Sequence, residues 1–197
     1  MARQREFDLD RALDAAMHIF WDKGYEAASL SDLTTGMGIQ RPSLYAAFGD
    51  KKELFETALR RYTTQHAAKV RAMLQQGESV IEAFRRLFEH IGSEGDVTDP
   101  RHGCFCINTM VELAPHDPKF AVLTREHQMY LAVLFQELIE RGQRSGEISS
   151  HLHATSIAQS LVVSMIGLTV MMKSVPDRSF VEQSIEATLL CLKSNGG

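Results

Sequence analysis

The stretch Gln40-Arg41-Pro42-Ser43-Leu44-Tyr45-Ala46-Ala47-Phe48-Gly49-Asp50-Lys51-Lys52 decides how this chain is read. Leu44 and Phe48 stand four apart, so a helix places both on one buried face and leaves Arg41, Ser43, Tyr45 and Ala47 to project elsewhere. Pro42 is tolerated in a first helical turn, and Gly49 ends the helix. The outer face holds side chains that suit a nucleic acid. Arg41 and Gln40 offer bidentate contacts to base edges, and Ala47 offers a methyl for a thymine methyl. Tyr45, Ser43 and Lys51 suit phosphate oxygens. The helix that begins at Lys51 and Lys52 adds free amides and a positive dipole end, an anion site.

Upstream, Asp8 caps a first helix whose apolar stripe is Leu9, Leu13, Ala16 and Phe20, widened by Ala12 and Ile19 and stopped by Gly24. Ser29 starts a second helix, with Ser31 in its first turn and Asp32 three residues on, a capping box with Asp in place of Glu. Gly36-Met37-Gly38 breaks this helix and permits a sharp turn. Three short helices with a tight turn between the second and third suit a helix-turn-helix. In that motif the second helix crosses the nucleic-acid backbone and the third enters a major groove about 12 Å wide.

Downstream, Asp50 and Glu53 repeat the capping pattern, and a fourth helix runs from Lys51 to about Leu74. Gln75-Gln76-Gly77 is a boundary. A fifth helix is expected over 79–91, then a loop over 92–103 rich in Gly, Asp and Pro, and a sixth helix over 104–113 that stops at Pro115. A long seventh helix follows over 117–144. Two more, near 153–174 and 177–193, are separated by Pro176. No run of alternating strand residues appears, so the fold class is all-α with about nine helices.

Four blocks carry a family resemblance: Ala12-Leu13-Asp14-Ala15-Ala16; Phe20-Trp21-Asp22-Lys23-Gly24-Tyr25-Glu26-Ala27-Ala28-Ser29; Leu33-Thr34-Thr35-Gly36-Met37-Gly38-Ile39; and Pro42-Ser43-Leu44-Tyr45-Ala46-Ala47-Phe48-Gly49-Asp50-Lys51-Lys52-Glu53-Leu54-Phe55. Across 7–62 the chain resembles the DNA-binding domain of TetR/AcrR transcriptional regulators. The resemblance implies a helix-turn-helix DNA-binding domain over 1–62, with the fourth helix running on to about residue 75. It implies a helical ligand-binding and dimerisation domain over 63–197. The family's phosphate-contacting Tyr falls on Tyr45, the Lys that opens its fourth helix on Lys51, and its recognition positions on Gln40, Arg41, Ser43 and Ala47. Many members carry His where Ala47 stands, so a contact made by that His is missing here. The partners implied are double-stranded operator DNA, a second copy of the chain and a small-molecule inducer, with repression commoner than activation. The DNA-facing set expected is Ser29, Ser31, Gln40, Arg41, Pro42, Ser43, Tyr45, Ala47, Lys51 and Lys52.

Charge sets a condition on that reading. The whole chain has a formal net charge of −4, and residues 1–62 carry nine Lys or Arg against ten Asp or Glu. A protein that coats nucleic acid indiscriminately is therefore disfavoured, and affinity must come from placement. Arg3 and Arg5 stand on an N-terminal arm that either reaches a minor groove or is a solvated tail.

Over 78–197 the resemblance is architectural, plus the segment Gly103-Cys104-Phe105-Cys106-Ile107-Asn108 seen in some branches. The last two helices are expected to form a four-helix bundle with those of a partner. One stripe is Ile157, Leu161, Met165, Leu168 and Met172; a second is Phe180, Ile185, Leu189 and Leu192. The interface expected from them is Ile157, Leu161, Met165, Leu168, Met172, Ile185 and Leu189. A pocket among helices five to eight is expected to be lined by Phe84, Phe88, Phe105, Met110, Met129 and Met165, since Met suits adaptable apolar sites. Core packing explains any one of these equally well.

Cys104 and Cys106 sit at the start of a helix, where a thiol gains reactivity, and so suggest a redox or electrophile sensor; the alternative is two small buried hydrophobes. One residue apart, they cannot easily bridge to each other. Three cysteines and a charged start point to a reduced, cytoplasmic setting with no disulfide framework. The apolar stretch 157–172 is short for a bilayer span and includes Gln159, Ser160, Ser164 and Thr169, so no membrane is expected. Eight histidines invite a metal, among them His90, His102, His116, His151 and His153, but no Cys-x-x-Cys or His-Glu-x-x-His spacing appears, so neither metal nor cofactor is expected. No catalytic motif stands out either, and the chain reads as a non-enzyme. The rival classes are an all-helical enzyme and a helical protein-binding adaptor, which leaves Arg41, Tyr45 and Lys51 without a role.

Overall fold

Several helices begin where the sequence supplies a side-chain cap. The Asp8 carboxylate accepts from the amides of Asp10 and Arg11 and opens α1 (Leu9–Ala27). The Ser29 hydroxyl accepts from the Asp32 amide at 3.0 Å while Asp32 accepts from the Ser29 amide at 2.9 Å, which starts α2 (Leu30–Met37). Then come α3 (Arg41–Phe48) and α4 (Lys51–Leu74). Asp50 and Glu53 form a second reciprocal cap, at 2.8 and 2.9 Å. The remaining helices are α5 (Val80–Gly92), α6 (Phe105–Glu112), α7 (Pro118–Ser145), α8 (Ala154–Met172) and α9 (Arg178–Leu189). The last ends in a 3₁₀ turn, Leu190–Leu192, rather than running on as α-helix to 193. The structure is a computed structural model that describes residues 7–77, 79–93 and 102–193, and all nine helices lie among them, with no strand. Arg3 and Arg5 lie outside the described residues.

Two glycines behave differently from the sequence expectation. Gly24 does not end α1; it breaks the helix with φ of +78° and the chain resumes helical geometry to Ala27. At the α2–α3 turn only Gly38 takes a positive φ, +66°, in the left-handed cap that lets Ile39 and Gly38 donate back to Thr34 and Thr35. Gly36 is inside α2, where an added Cβ would stand 2.4 Å from Ile19 Cδ1. Its role is close packing of α2 on α1.

The chain divides into two compact units. The first combines residues up to 64 with 104–124. Its core joins Ala12, Leu13, Ala16, Met17 and Phe20 of α1, Leu33 and Met37 of α2, Leu44 of α3, and Leu54, Phe55, Ala58 and Leu59 of α4. Phe55 is its hub, meeting the rings of Phe20, Tyr25, Phe105 and Phe120 edge-on with centroids 4.8–5.3 Å apart. Each such pair adds about 0.5–1.5 kcal/mol beyond burial.

The second unit comprises 65–103 and 125 onward. Its core includes Phe84, Leu87 and Phe88 of α5, Leu131, Leu134, Phe135, Leu138 and Ile139 of α7, Leu161, Val162, Met165 and Leu168 of α8, and Val181, Ile185 and Leu189 of α9. Here α5 starts under a borrowed cap. The Glu147 carboxylate accepts from the Ser79 hydroxyl and from the amides of Val80 and Ile81, at 2.6–2.9 Å. Burial alone raises the Glu147 carboxyl, but these hydrogen bonds together hold it below its ordinary value. At 19 residues α8 is long and apolar enough to cross a membrane by length and composition alone, a test that the core helix of a soluble protein also passes. Its inward face, Ala158, Leu161, Val162, Met165 and Leu168, is packed in this core.

Candidate nucleic-acid interface

In the first unit α3 buries one residue, Leu44, and so turns most of its length outward. Gln40, Arg41 and Pro42 are exposed, and Tyr45 is 48% exposed. Ser43 and Ala47 are half-buried. Among the described residues Arg41 makes no ion pair and neither its guanidinium nor the Tyr45 hydroxyl makes a hydrogen bond. Most of the unit's other described cations are instead tied to a carboxylate. Lys23 is tied to Asp32 at 2.7 Å, Arg60 to Glu56 at 3.1 Å, and Arg61 to both Asp10 and Asp14 at 2.7 and 2.5 Å. An exposed, unpartnered guanidinium beside an exposed phenol is a donor pair kept open for an acceptor outside the chain.

The two lysines that open α4 are not equivalent. Lys51 is half-buried, with its ammonium 4.5 Å from the centre of the Tyr25 ring and 3.4 Å from the Glu26 carbonyl oxygen, to which it donates. Lys52 pairs with Asp117 at 2.5 Å. That hydrogen bond lowers the Asp117 carboxyl and raises Lys52 from their ordinary values. Lys52, expected beside Lys51 on one DNA face, is paired with Asp117 in the structure, whereas Lys51 is not paired with a carboxylate among the described residues. The expected free amides of α4 are corrected, because Asp50 occupies the Glu53 amide and places a carboxylate at that helix end. Ser31 is exposed. The Ser29 hydroxyl is already committed, donating to Asp32 at 2.7 Å.

The second unit answers the other expectations less kindly. Ile157, Leu161, Met165, Leu168, Met172, Ile185 and Leu189 were natural candidates for an interface, but all seven face or border the chain's own core. Other apolar side chains of these two helices and the turn that follows are exposed: Val163 at 69%, Val170 at 45%, Met171 at 43%, Phe180 at 50% and Leu190 at 59%. Helix α8 is apolar on two faces, and periodicity alone does not say which is inside.

The six expected pocket residues divide between the units. Phe105 and Met110 stand in the first, where Phe105 packs on Phe55 and Tyr62. Phe84, Phe88 and Met165 are core residues of the second, and Met129 is 63% exposed on α7. Within the second unit a cavity of about 130 Å³ is lined by Phe88, Ser164, Leu168, Met171, Phe180, Ser184, Ile185 and Thr188. Of the expected set, only Phe88 is in that lining.

Both thiols of the Cys104–Cys106 pair are buried, and Tyr62 Oη donates to Cys104 Sγ at 3.2 Å. Burial pushes the Cys106 thiol far up, with Cys104 adding to it, so the activation expected from a helix start is overridden by desolvation. Sequence reading missed a histidine pair in the second unit. His66 Nδ1 and His127 Nε2 are 3.1 Å apart, 61 residues apart in sequence, and burial pushes both imidazoles down to about 4. The only signal for it was placement, each His lying on an inward stripe of its helix.

A short exposed helix with open donors, set by a left-handed glycine turn behind a capped second helix, defines a helix-turn-helix DNA-binding regulator. The family model for bacterial regulatory proteins of the tetR family matches residues 12–58, and that for the tetracyclin repressor-like C-terminal domain matches 80–188. The chain belongs to the TetR family of transcriptional regulators. It is 39% identical over 170 residues to the HTH-type transcriptional repressor ComR of Escherichia coli (strain K12), covering 85% of this chain and 80% of that protein. It is 31% identical over 195 residues to the uncharacterized HTH-type regulator YezE of Bacillus subtilis (strain 168), covering 98% and 100%. A solved structure of a cysteine mutant of the TetR family regulator CifR, complexed with 26-base-pair operator DNA, is 31% identical. It superposes with a TM-score of 0.81 over 95% of this chain and 98% of that one.

Proposed function

We propose that this regulator is a repressor that works as a homodimer in the bacterial cytoplasm, and that a small apolar molecule releases it from a palindromic operator. Arg41 and Gln40 read base edges, while Tyr45 and Lys51 hold phosphates. The observation that carries this reading is the exposed, unpaired Arg41 and Tyr45 on α3, in a unit whose other described cations of helices α1 and α4 are mostly engaged. The CifR mutant is bound to operator DNA, which supports the same partner here. Two α3 helices must then stand about 34–36 Å apart to meet successive major grooves, which requires a two-fold partner. The exposed face of α8 and α9, Val163, Val170, Met171, Phe180 and Leu190, is the surface assigned to it. The inducer acts from the 63–197 region by preferring the non-binding state by a few kcal/mol. Raised thiol pKa and burial at Cys106 favour this ligand-driven reading over a thiolate sensor.

A mobility-shift titration on DNA flanking the gene, run at several salt concentrations with random competitor, tests the proposal. Tight binding to one palindromic site, retained against competitor, is expected. Association that is blind to sequence and vanishes with salt overturns it.

A further inference from the structure

We propose that Glu112, on α6, is a positioning residue for operator binding, because its carboxylate fixes the turn of α1 that holds Lys51. The break at Gly24 restarts a helical turn inside α1, and a restarted turn leaves its first amides without partners from the preceding one. Glu112 accepts both: the Tyr25 amide donates to Oε2 at 3.1 Å and the Glu26 amide to Oε1 at 3.0 Å, across 87 and 86 residues of sequence. This is a helix cap supplied from a distant helix. A side chain at residue 24 would crowd this cap, since a Cβ there would stand 3.0 Å from Glu112 Oε2, and the φ of +78° strains any residue but glycine.

The two residues so held are the two that hold Lys51. The Lys51 ammonium donates to the Glu26 carbonyl at 3.4 Å and lies over the Tyr25 ring at 4.5 Å. Five residues beyond Glu112, Asp117 takes Lys52. The segment 112–117 therefore steadies one lysine at the DNA face and withholds its neighbour from it. By sequence that segment falls in the part matched by the C-terminal family model, 80–188; in space it packs in the first unit. The inference rests on the proposed contact of Lys51 with a phosphate.

The test is a double-mutant cycle on operator affinity with Glu112→Ala, Lys51→Ala and the double variant, each measured against salt. Glu112→Gln, of nearly the same shape, serves as a second variant should Glu112→Ala fold poorly. Thermal unfolding by circular dichroism fixes a temperature at which every variant is folded. Lys51→Ala is expected to weaken binding about tenfold and to lower the salt slope by about 1. Glu112→Ala is expected to cost about half to all of that factor with a similar fall in salt slope, Glu112→Gln less, and the double variant no more than Lys51→Ala alone. If the two losses multiply, or if Glu112→Ala and Glu112→Gln lower only the Tm, Glu112 is merely structural and the proposal fails. If Lys51→Ala changes neither affinity nor slope, the phosphate assignment itself fails.

Discussion

The two units of the chain expose opposite chemistries. In the first, exposed α3 offers unpaired donors, Arg41 and Tyr45, over a single buried Leu44. In the second, exposed α8 and α9 offer methyls and rings over a continuous apolar core. The first surface suits a polyanion, whose phosphates reward charge that the protein has left free. The second suits another apolar protein face, where hydrogen-bond donors would be a burden. On the proposed reading a regulator that grips DNA twice needs both surfaces, one for each partner.

The sharpest way to break this contrast is to put a charge on the second surface. Val163→Asp, at a site 69% exposed in the single chain, should leave the fold intact and cut operator affinity about a hundredfold or more, because a lone charge buried in an interface costs about 3–5 kcal/mol. Sedimentation should show monomer where the parent is dimer; a dimer of unchanged stability removes the α8–α9 surface from consideration. Phe84→Ala probes the core beneath. Phe84 is fully buried and edge-on to Phe135, so its loss should cost about 3–5 kcal/mol in a denaturant titration.

On the first surface Arg41→Ala should cost about 1–3 kcal/mol and relax preference at one base position, read by binding to a panel of operator variants. An equal loss on every sequence would move Arg41 from base edge to backbone. Tyr45→Phe should weaken binding a few-fold and uniformly. The smallest effect at neutral pH belongs to the histidine pair. His66 and His127 ordinarily titrate near 6.5 but are held neutral down to about 4, so the unfolded chain binds more protons between those values. Stability should be full above pH 6.5 and fall as pH drops toward 4, by several degrees in Tm. The decline should be shallower in His127→Phe.

Local signals made most of the fold legible. Ser29 with Asp32, Asp50 with Glu53, and the glycines at 38 and 49 mark their helix ends within a residue or two, because capping is decided by side chains a turn away. The open faces of Arg41 and Tyr45 follow from the spacing of Leu44 and Phe48. What could not be read depends on contacts between distant residues. Nothing near Lys52 announces Asp117, 65 residues on, and nothing near Gly24 announces Glu112. On α8 the stripe of Leu161, Met165 and Leu168 and the stripe of Val163 and Val170 are both apolar at helical spacing. Only α5, α7 and α9 packing on the first shows which of them the chain keeps for itself.

The ring of Phe55 meets two aromatic rings from the first 25 residues and two from beyond residue 100. The DNA-reading part is therefore not a detachable module ending near residue 62. A chimera that grafts these N-terminal helices onto a cousin's body must carry residues 104–124 with them, or else match Phe105 and Phe120 in the recipient. Exchange of specificity between such proteins is thus a transplant of two segments rather than one.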